Sequence, residues 1–270
     1  MTTALIGHTG FVGSNILGGR PFDDLYNSSN LDQIAGKQYD LVVSAANRAD
    51  SFRINEHPDE DLAEIEAIAA TISKASITKL VLISTVCVYE ASDRSDEDTP
   101  IGTENLTPYG RNRFALERLM ADRYDTTIIR LPQLFGPGLK KGVIYDLANN
   151  YRVEHIRPRG LFQYYDLQRL WSDIEVALDH GLPVLNIATP PLTSERVARE
   201  CFGIDLSGQV PAAPESRFSQ MYTRNMTTKY AGLFGREGDY LIDEREELDA
   251  ITAFARTIGS PATQPEDAEL

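Results

Sequence analysis

The feature that most constrains the fold of this chain is a glycine-rich turn near its N-terminus. Residues 7–13 read GHTGFVG; they follow the apolar run Thr3–Ile6 and open a segment that we expect to be helical. In such a turn Gly7 permits a tight bend, Gly10 lets the backbone approach a pyrophosphate, and Gly13 lets the helix pack closely on the strand. A plain strand-to-helix turn is the alternative. The position at the start of an alternating chain favours dinucleotide binding.

The rest of the chain alternates short apolar runs with segments of helical periodicity. The predicted strands are Thr3–Ile6, Asp24–Tyr26, Asp40–Ala45, Lys79–Thr85, Thr126–Leu131 and Val184–Ile187. The predicted helices after the first are Asp59–Ala75, Tyr109–Tyr124 and Leu167–Asp179. The second of these should bury its apolar residues Phe114, Leu116, Leu119 and Met120. This order predicts an α/β fold with a doubly wound, parallel Rossmann sheet covered by helices on both faces.

The alternating pattern loosens after about residue 132, which suggests a division of the chain. We expect residues 1–134 to form the dinucleotide-binding Rossmann domain and residues 135–258 a small C-terminal substrate lobe. Part of that lobe, about residues 165–190, should return to the Rossmann sheet, and residues 203–236 should be irregular. The tail 259–270, GSPATQPEDAEL, has the composition of a disordered segment.

The charge balance excludes several classes of partner. Lys and Arg total 26 against 40 Asp and Glu, a formal net charge of −14. A chain this acidic repels nucleic acid and anionic membranes over most of its surface. Neither a membrane-spanning apolar run nor a signal peptide is visible, so we expect a cytoplasmic protein. Cys87 and Cys201 offer neither a disulfide scaffold nor metal-ligand spacing, so we assign no metal.

The end of the second predicted strand bears on which dinucleotide binds. NAD-binding folds often carry an acid there that holds the ribose 2′-hydroxyl. Here the strand runs into Tyr26-Asn27-Ser28-Ser29-Asn30, which contains no acid. The missing carboxylate favours NADP slightly over NAD, although no Arg or Lys adjoins these residues in sequence.

Four further motifs, together with the glycine turn, resemble the extended short-chain dehydrogenase/reductase family of NAD-dependent epimerases and dehydratases. In chain order the motifs are YDLVVSAAN (39–47), LVLISTVCVYE (80–90), DEDTPIGTENLTPYGRNR (96–113) and RLPQLFGPG (130–138). The last has Gln133 where the family usually has Asn. The resemblance implies a Rossmann fold, an NAD(P) cofactor and a sugar or nucleotide-sugar substrate.

The resemblance also implies a catalytic set of Thr85, Tyr109 and Arg113. Tyr109 takes the place of the family's acid/base tyrosine and Thr85 that of its Ser/Thr, whereas Arg113 stands where the family has lysine. This Tyr-x-x-x-Arg makes the chain an atypical member. In the family the lysine holds the nicotinamide ribose and lowers the tyrosine pKa, and a planar guanidinium does not simply replace an ammonium. Catalysis with altered geometry, slow catalysis and loss of catalysis remain open, as does a solvated Arg113 with no role.

Residues near the ends of the strands complete the predicted site. The expected cofactor contacts are Gly7, Thr9, Gly10, Phe11, Val12, Gly13, Asn27, Ser28, Ala45, Ala46, Tyr109, Arg113 and Pro132. The expected substrate contacts are Gln133, Arg157 and Arg159, the arginines suiting a second pyrophosphate. Tyr164, Tyr165 and Trp171 either stack on the substrate or pack the lobe. The family's dehydratases carry an acid/base pair where this chain has Val86 and Cys87, which disfavours dehydration.

The predicted function is NAD(P)-dependent hydride transfer on a sugar or nucleotide-sugar, by an epimerase or reductase. Two alternatives stay open: a catalytically silent NAD(P)-binding sensor or regulatory protein, and a reductase of a small carbonyl metabolite. Members of the family commonly dimerise through helices equivalent to Asp59–Ala75 and Tyr109–Tyr124, so a homodimer is expected.

Overall fold

The computed structural model describes residues 1–91, 93–209 and 223–258. Within these ranges, no helix combines the length and the apolar character needed to cross a bilayer. The predicted tail 259–270 lies outside the described residues, as do residues 210–222 of the region predicted to be irregular. Residues 203–209 and 223–236 are the described parts of that region. The helical structure in them is one short 3₁₀ turn, Ala231–Phe234.

The strands of the described residues form one large sheet and two small ones. In chain order they are β1 (Thr3–Ile6), β2 (Asp24–Tyr26), β3 (Gln38–Ser44), β4 (Ser76–Thr85), β5 (Thr126–Leu131), β6 (Gln133–Phe135), β7 (Leu161–Phe162), β8 (Tyr164–Asp166), β9 (Val184–Asn186) and β10 (Leu192–Thr193). The large sheet has the order β2-β1-β3-β4-β5-β9, and every neighbouring pair in it is parallel. All six predicted strands are therefore confirmed, with bounds that shift by a few residues.

Helices connect the parallel strands. They are α1 (Phe11–Gly19), α2 (Ser51–Glu56), α3 (Pro58–Ile72), α4 (Pro108–Ala121), α5 (Val143–Ala148), α6 (Leu170–Asp179), α7 (Ser194–Phe202) and α8 (Glu244–Ile258). The predicted helices correspond to α1, α3, α4 and α6, the last preceded by a 3₁₀ turn over Leu167–Arg169. The sequence analysis did not identify α2, α5, α7 or α8.

Two apolar cores lie on opposite faces of the large sheet, because successive side chains of a strand point to opposite sides. In β4, Val81 and Ile83 pack in the core that includes α1 and α6. Leu80 and Leu82 pack in the core that includes α3 and α4. The sheet is doubly wound, as predicted.

Helix α4 differs from the prediction in what it buries. Leu116 and Met120 are buried, but Leu119 is 45% exposed. The inward face of the helix instead carries three polar residues, Asn112, Arg113 and Glu117. The prediction for Leu119 was wrong because apolar spacing alone did not reveal that charged residues of this helix have buried partners.

The chain after β5 builds a third apolar core beside the sheet. Strands β6 and β8 pair in parallel, and β7 and β10 pair antiparallel. Tyr164 packs in this core, whereas Tyr165 and Trp171 pack in the core that includes α1 and α6. All three aromatic residues are buried, but only Tyr164 packs in the core of the lobe as that alternative has it; Tyr165 and Trp171 pack against the large sheet. The domain boundary near residue 134 stays a prediction.

Candidate active site

The glycine turn lies at the point where the strand order of the large sheet reverses. Strand β1 is flanked by β2 on one side and β3 on the other, so the connections that leave β1 and β2 run to opposite sides. Crevices at such points, beyond the carboxyl ends of parallel strands, are where open α/β sheets bind ligands. The sheet topology therefore provides a ligand crevice at residues 7–13.

Gly7 and Gly13 have the structural roles that their spacing predicted, whereas the approach of Gly10 to a pyrophosphate stays a prediction. Gly7 has φ +86°, and a Cβ on it would lie 2.4 Å from the carbonyl oxygen of Ala45. A Cβ on Gly13 would lie 2.1 Å from the carbonyl oxygen of Gly7. At Gly10 the nearest atom, the same Gly7 oxygen, is 3.3 Å away. Gly7 and Gly13 are thus required by the protein's own packing, and Gly10 leaves room on the crevice side.

The N-terminus of α1 is built to receive an anion. Its N-cap, Gly10, supplies no side-chain cap, and the first turn contains no acidic residue. The first helical hydrogen bond runs from the Ser14 amide to the Gly10 carbonyl, 2.8 Å. Within the described residues the amides of Phe11 and Val12 have no protein acceptor, and Thr9 is exposed beside them. Such amides and the helix dipole fit a dinucleotide's pyrophosphate.

The neighbouring strand ends supply the residues predicted to contact the adenosine half. After β2, the Asn27 side chain accepts a hydrogen bond from the Ser29 amide at 2.9 Å, and Ser28 is exposed. After β3, the Ala45 amide donates to the Ile6 carbonyl at 2.9 Å, which places Ala45 and Ala46 beside the glycine turn. Contact of these residues with a cofactor stays a prediction.

Thr85 and Tyr109 are brought together by the start of α4. Thr85 ends β4, and its Oγ1 accepts a hydrogen bond from the Cys87 amide at 3.2 Å. Tyr109 lies in the first turn of α4, and its amide donates to Asn55 Oδ1 at 3.0 Å. A Cβ on Gly110 would lie 2.2 Å from the Cys87 carbonyl oxygen, so only glycine lets α4 approach this closely. The sequence analysis missed that role of Gly110.

The environment of Tyr109 favours its protonated form. Burial raises the pKa of its phenol to about 12, and the nearby thiol of Cys87 acts in the same direction. The charge of Arg113 and hydrogen bonds from Thr85 and Arg113 lower the pKa, but by less in total. At neutral pH the side chain is therefore a proton donor.

Arg113 is neither solvated nor directed into open space. Its Nη2 and Nη1 donate to the two carboxylate oxygens of Asp61 at 2.9 and 3.0 Å, and Nη2 also donates to the Arg48 carbonyl at 2.6 Å. The side chains of Arg113 and Asp61 are only 3% and 6% exposed. The guanidinium lies 5.0 Å from the centre of the Tyr109 ring. The solvated alternative is wrong: Arg113 forms a buried, two-pronged ion pair beside Tyr109.

Asp61 is a residue of the site that the sequence alone did not single out. It also accepts a hydrogen bond from Asn112 Nδ2 at 2.9 Å. A signal was present in the sequence, because Asp61 lies four residues before Ile65 and so shares the buried face of α3.

The residues predicted to contact substrate lie after β5 and before β7. Pro132 follows β5, and the Gln133 amide donates to the Gln163 carbonyl at 3.2 Å. Gln133 and Arg157 are half-buried and Arg159 is exposed. Their contact with substrate stays a prediction.

An arginine that the sequence analysis did not select lies at the site. Arg224 Nη2 is 3.8 Å from the Sγ of Cys87, two residues beyond Thr85. The Arg224 amide donates to the Leu161 carbonyl at 2.9 Å, and this contact holds Arg224 near the carboxyl end of β4.

The fold and the glycine turn together define a dinucleotide-binding protein of the Rossmann type. A model of the NAD dependent epimerase/dehydratase family matches residues 23–175, more than half of the chain, and the chain belongs to that family. The protein is accordingly an enzyme of a class that uses a nicotinamide dinucleotide. No sequence among the curated proteins matches it.

Several solved structures have the same fold. UDP-glucose 4-epimerase of Thermotoga maritima, with UDP-glucose, is 16% identical, with a TM-score of 0.71 over 95% of this chain and 99% of that one. MoeE5, in complex with UDP-glucuronic acid and NAD, is 18% identical, with a TM-score of 0.71 and the same coverage. RMD from Pseudomonas aeruginosa, with NADPH, is 17% identical, with a TM-score of 0.69 over 95% of this chain and 100% of that one.

Proposed function

We propose that this protein transfers hydride reversibly between a nicotinamide dinucleotide and a carbinol carbon of a sugar or nucleotide-sugar, as an epimerase or a reductase. The observation that carries the proposal is the pairing of Thr85 and Tyr109 at the carboxyl end of β4, on the edge of the sheet that also holds the glycine turn. This supports a site where a bound dinucleotide and a substrate hydroxyl meet.

Each side chain has a proposed role that follows from its surroundings. The dinucleotide, when bound at the glycine turn, supplies the hydride acceptor or donor. Tyr109 moves the hydroxyl proton, and its raised pKa favours the direction in which it protonates a forming alkoxide. Thr85 holds the same oxygen and the charge that develops on it.

Arg113 acts through Tyr109 in this proposal. Two of its nitrogens are occupied by Asp61 and the Arg48 carbonyl, so its contribution to the nicotinamide ribose depends on its remaining N–H groups. Its charge lowers the pKa of Tyr109, and its guanidinium packs against the phenol ring. We therefore propose Arg113 as both a positioning residue and a secondary cofactor contact.

The cofactor and the substrate are proposed from different observations. NADP is slightly favoured over NAD, because the residues after β2 that would contact the ribose, Asn27 and Ser28, are neutral. A nucleotide-sugar substrate is supported by the similar structures, whose bound molecules include UDP-glucose and UDP-glucuronic acid. Calorimetric titration with NAD and NADP, reduced and oxidised, measures the cofactor preference directly.

Turnover of a nucleotide-sugar panel with each cofactor tests the reaction. Tyr109→Phe and Thr85→Val should each lower kcat by about 10²- to 10⁴-fold with cofactor affinity retained, since proton transfer contributes on that order. Tyr151→Phe, at a tyrosine that is 53% exposed, is the matched control and should leave kcat unchanged. An epimerase returns the cofactor unchanged after each turnover, whereas a reductase consumes it in equal amount to substrate. Cofactor binding with no turnover of any substrate would instead support a silent dinucleotide-binding protein.

We also propose a homodimer formed through α3 and α4. Leu119 projects from α4 with 45% of its surface exposed, as a helix that packs against a second copy would require. Light scattering of the wild type and of Leu119→Glu tests this; a wild-type monomer at micromolar concentration refutes it.

A further inference from the structure

We propose that Arg224 forms an anion-binding subsite beside the reacting carbon, and that the substrate carries a carboxylate at that position. The inference rests on the proposed function and adds the chemical class of the substrate: a sugar acid rather than a neutral sugar.

Arg224 contacts Cys87, a residue that also contacts both Thr85 and the start of α4. Its Nη2 approaches the Sγ of Cys87 at 3.8 Å. The carbonyl of Cys87 packs against Gly110, and its amide donates to Thr85 Oγ1. A group held by Arg224 therefore lies next to an oxygen held by Thr85 and Tyr109.

The charge of Arg224 is uncompensated within the part of the chain that the structure describes. The buried guanidinium groups of Arg113 and Arg130 are paired with Asp61 and Glu117. Arg224 is half-buried, yet no described carboxylate forms an ion pair with it, and its side-chain contact is a thiol. An anionic ligand would neutralise a half-buried cation that no described carboxylate pairs with.

The backbone around Arg224 is fixed, which suits a binding subsite. The Arg224 amide is bonded to Leu161, and the Met226 amide donates to the side-chain oxygen of Gln163 at 2.7 Å. Gln163 is only 1% exposed, and its Nε2 donates back to the Met226 carbonyl at 2.8 Å. Holding a guanidinium on such a segment reduces the entropy that is lost when a ligand binds.

Charge, rather than shape, favours a carboxylate over a phosphate monoester at Arg224. One guanidinium offers a planar pair of donors that matches the two oxygens of a carboxylate and neutralises its single charge. A phosphate monoester carries nearly two charges, and the chain's net charge of −14 would oppose the second one. The adjacent Thr85 and Tyr109 require a hydroxyl or carbonyl beside the anion, an arrangement found in a uronic acid.

Binding of matched ligands tests the inference separately from turnover. UDP-glucuronic acid and UDP-glucose, together with glucuronate and glucose, are titrated into the cofactor-loaded enzyme; each pair differs at the carboxylate. In the wild type the acid should bind about 10- to 100-fold more tightly than the neutral sugar, as expected for a charge-assisted hydrogen bond. Arg224→Gln should abolish that preference, and Arg224→Lys should retain part of it.

The control is Arg199→Gln, which removes an exposed arginine on α7 and should preserve the preference for the acid. Equal affinities for acid and neutral sugar in the wild type, or an acid preference that survives in Arg224→Gln, overturn the inference. Tighter binding of glucose 6-phosphate than of glucuronate overturns the assignment of a carboxylate. If only neutral sugars are turned over, the proposed function stands and this inference fails. If the acid binds in an Arg224-dependent way but nothing is turned over, this inference stands and the proposed function fails.

Discussion

Removal of the Asp61 carboxylate is expected to destabilise the protein far more than removal of a surface charge. In Asp61→Asn the guanidinium of Arg113, 3% exposed, would lose the only negative charge that pairs with it among the described residues. Breaking a buried ion pair from one side costs about 3–5 kcal/mol. At roughly 2–4 °C per kcal/mol for a protein of about this size, Tm should fall by about 6–20 °C.

An asparagine at position 61 cannot reproduce the hydrogen bonds that the Asp61 carboxylate accepts. Oδ1 of Asp61 accepts from Arg113 Nη2, while Oδ2 accepts from both Arg113 Nη1 and Asn112 Nδ2. Whichever way the amide of the variant turns, its NH₂ group faces a guanidinium N–H. The substitution therefore replaces one acceptor by a donor that opposes another donor.

A double-mutant cycle isolates the ion pair. Urea unfolding is measured for the wild type, Asp61→Asn, Arg113→Met and the double variant, in which no unpaired charge remains. The double variant should be less destabilised than the sum of the single variants by about 1–3 kcal/mol. The matched control is Glu64→Gln on the same helix, which breaks the Arg48–Glu64 pair, whose side chains are 61% and 41% exposed. That exposed pair should contribute less than about 1 kcal/mol.

The reasoning is refuted if Asp61→Asn unfolds within about 0.5 kcal/mol of Glu64→Gln, the range expected for ordinary surface changes. Strict additivity of the two single variants would likewise show that Asp61 and Arg113 do not interact in solution.

Three further predictions concern the glycine turn, the buried acid Glu247 and the proposed proton donor Tyr109. Gly13→Ala should abolish cofactor binding in calorimetry, because its Cβ would overlap the Gly7 carbonyl, whereas Gly18→Ala in the same helix meets no atom within 4 Å and should raise Tm. Burial raises the pKa of Glu247 well above its usual value. The folded state therefore binds the Glu247 proton more tightly than the unfolded state does. The free energy of unfolding should fall as pH rises above about 4.3, the pKa of a glutamate in the unfolded chain. Urea unfolding from pH 4 to 8 should show a smaller fall for Glu247→Gln than for the wild type. With a pKa of about 12, Tyr109 stays protonated, so the rate in the direction of carbonyl reduction should not decline between pH 7 and 10; a decline centred near pH 8 would contradict its role as proton donor.

The elements that the sequence predicts well are those determined by local pattern. Strand β4 contains the apolar run Leu80–Ile83 and every residue of β5 is buried, and the glycine spacing of residues 7–13 has few structural solutions. Helices α7 and α8 were missed because their polar residues dominate; the buried positions of α8 include Glu247 beside Ile251. Such helices are missed when every charged residue is assumed to be exposed to solvent.

The site was predicted only as far as the family motifs extend. Thr85 and Tyr109 were identified by motif, and the structure brings them together. Asp61 and Arg224 were not identified, because their importance depends on contacts across 52 and 137 positions of the chain. Neither has a sequence neighbour that indicates its partner, so only the tertiary fold reveals it.

Arg113 and Asp61 form a single buried unit beside Tyr109. Tyr109, Arg113 and Glu117 recur every four residues on α4 and so share a face of the helix. Arg113 is neutralised by Asp61, and Glu117 by Arg130, whose Nη2 donates to it at 2.6 Å.

The ion pair of Arg113 with Asp61 carries no net charge, and Arg113 lowers the pKa of the Tyr109 phenol by less than burial raises it. The uncompensated cation among the described residues near the site is Arg224, on the Cys87 side. The family resemblance implies a lysine at position 113, beside Tyr109. Here the arginine at that position is paired with Asp61, and the unpaired positive charge near the site, among the described residues, is that of Arg224, farther from the proposed acid/base group and nearer to the proposed substrate position. Under the proposed function, we expect such a site to bind an anionic sugar more strongly and to generate a phenolate less readily, so that carbonyl reduction is faster than alcohol oxidation at neutral pH.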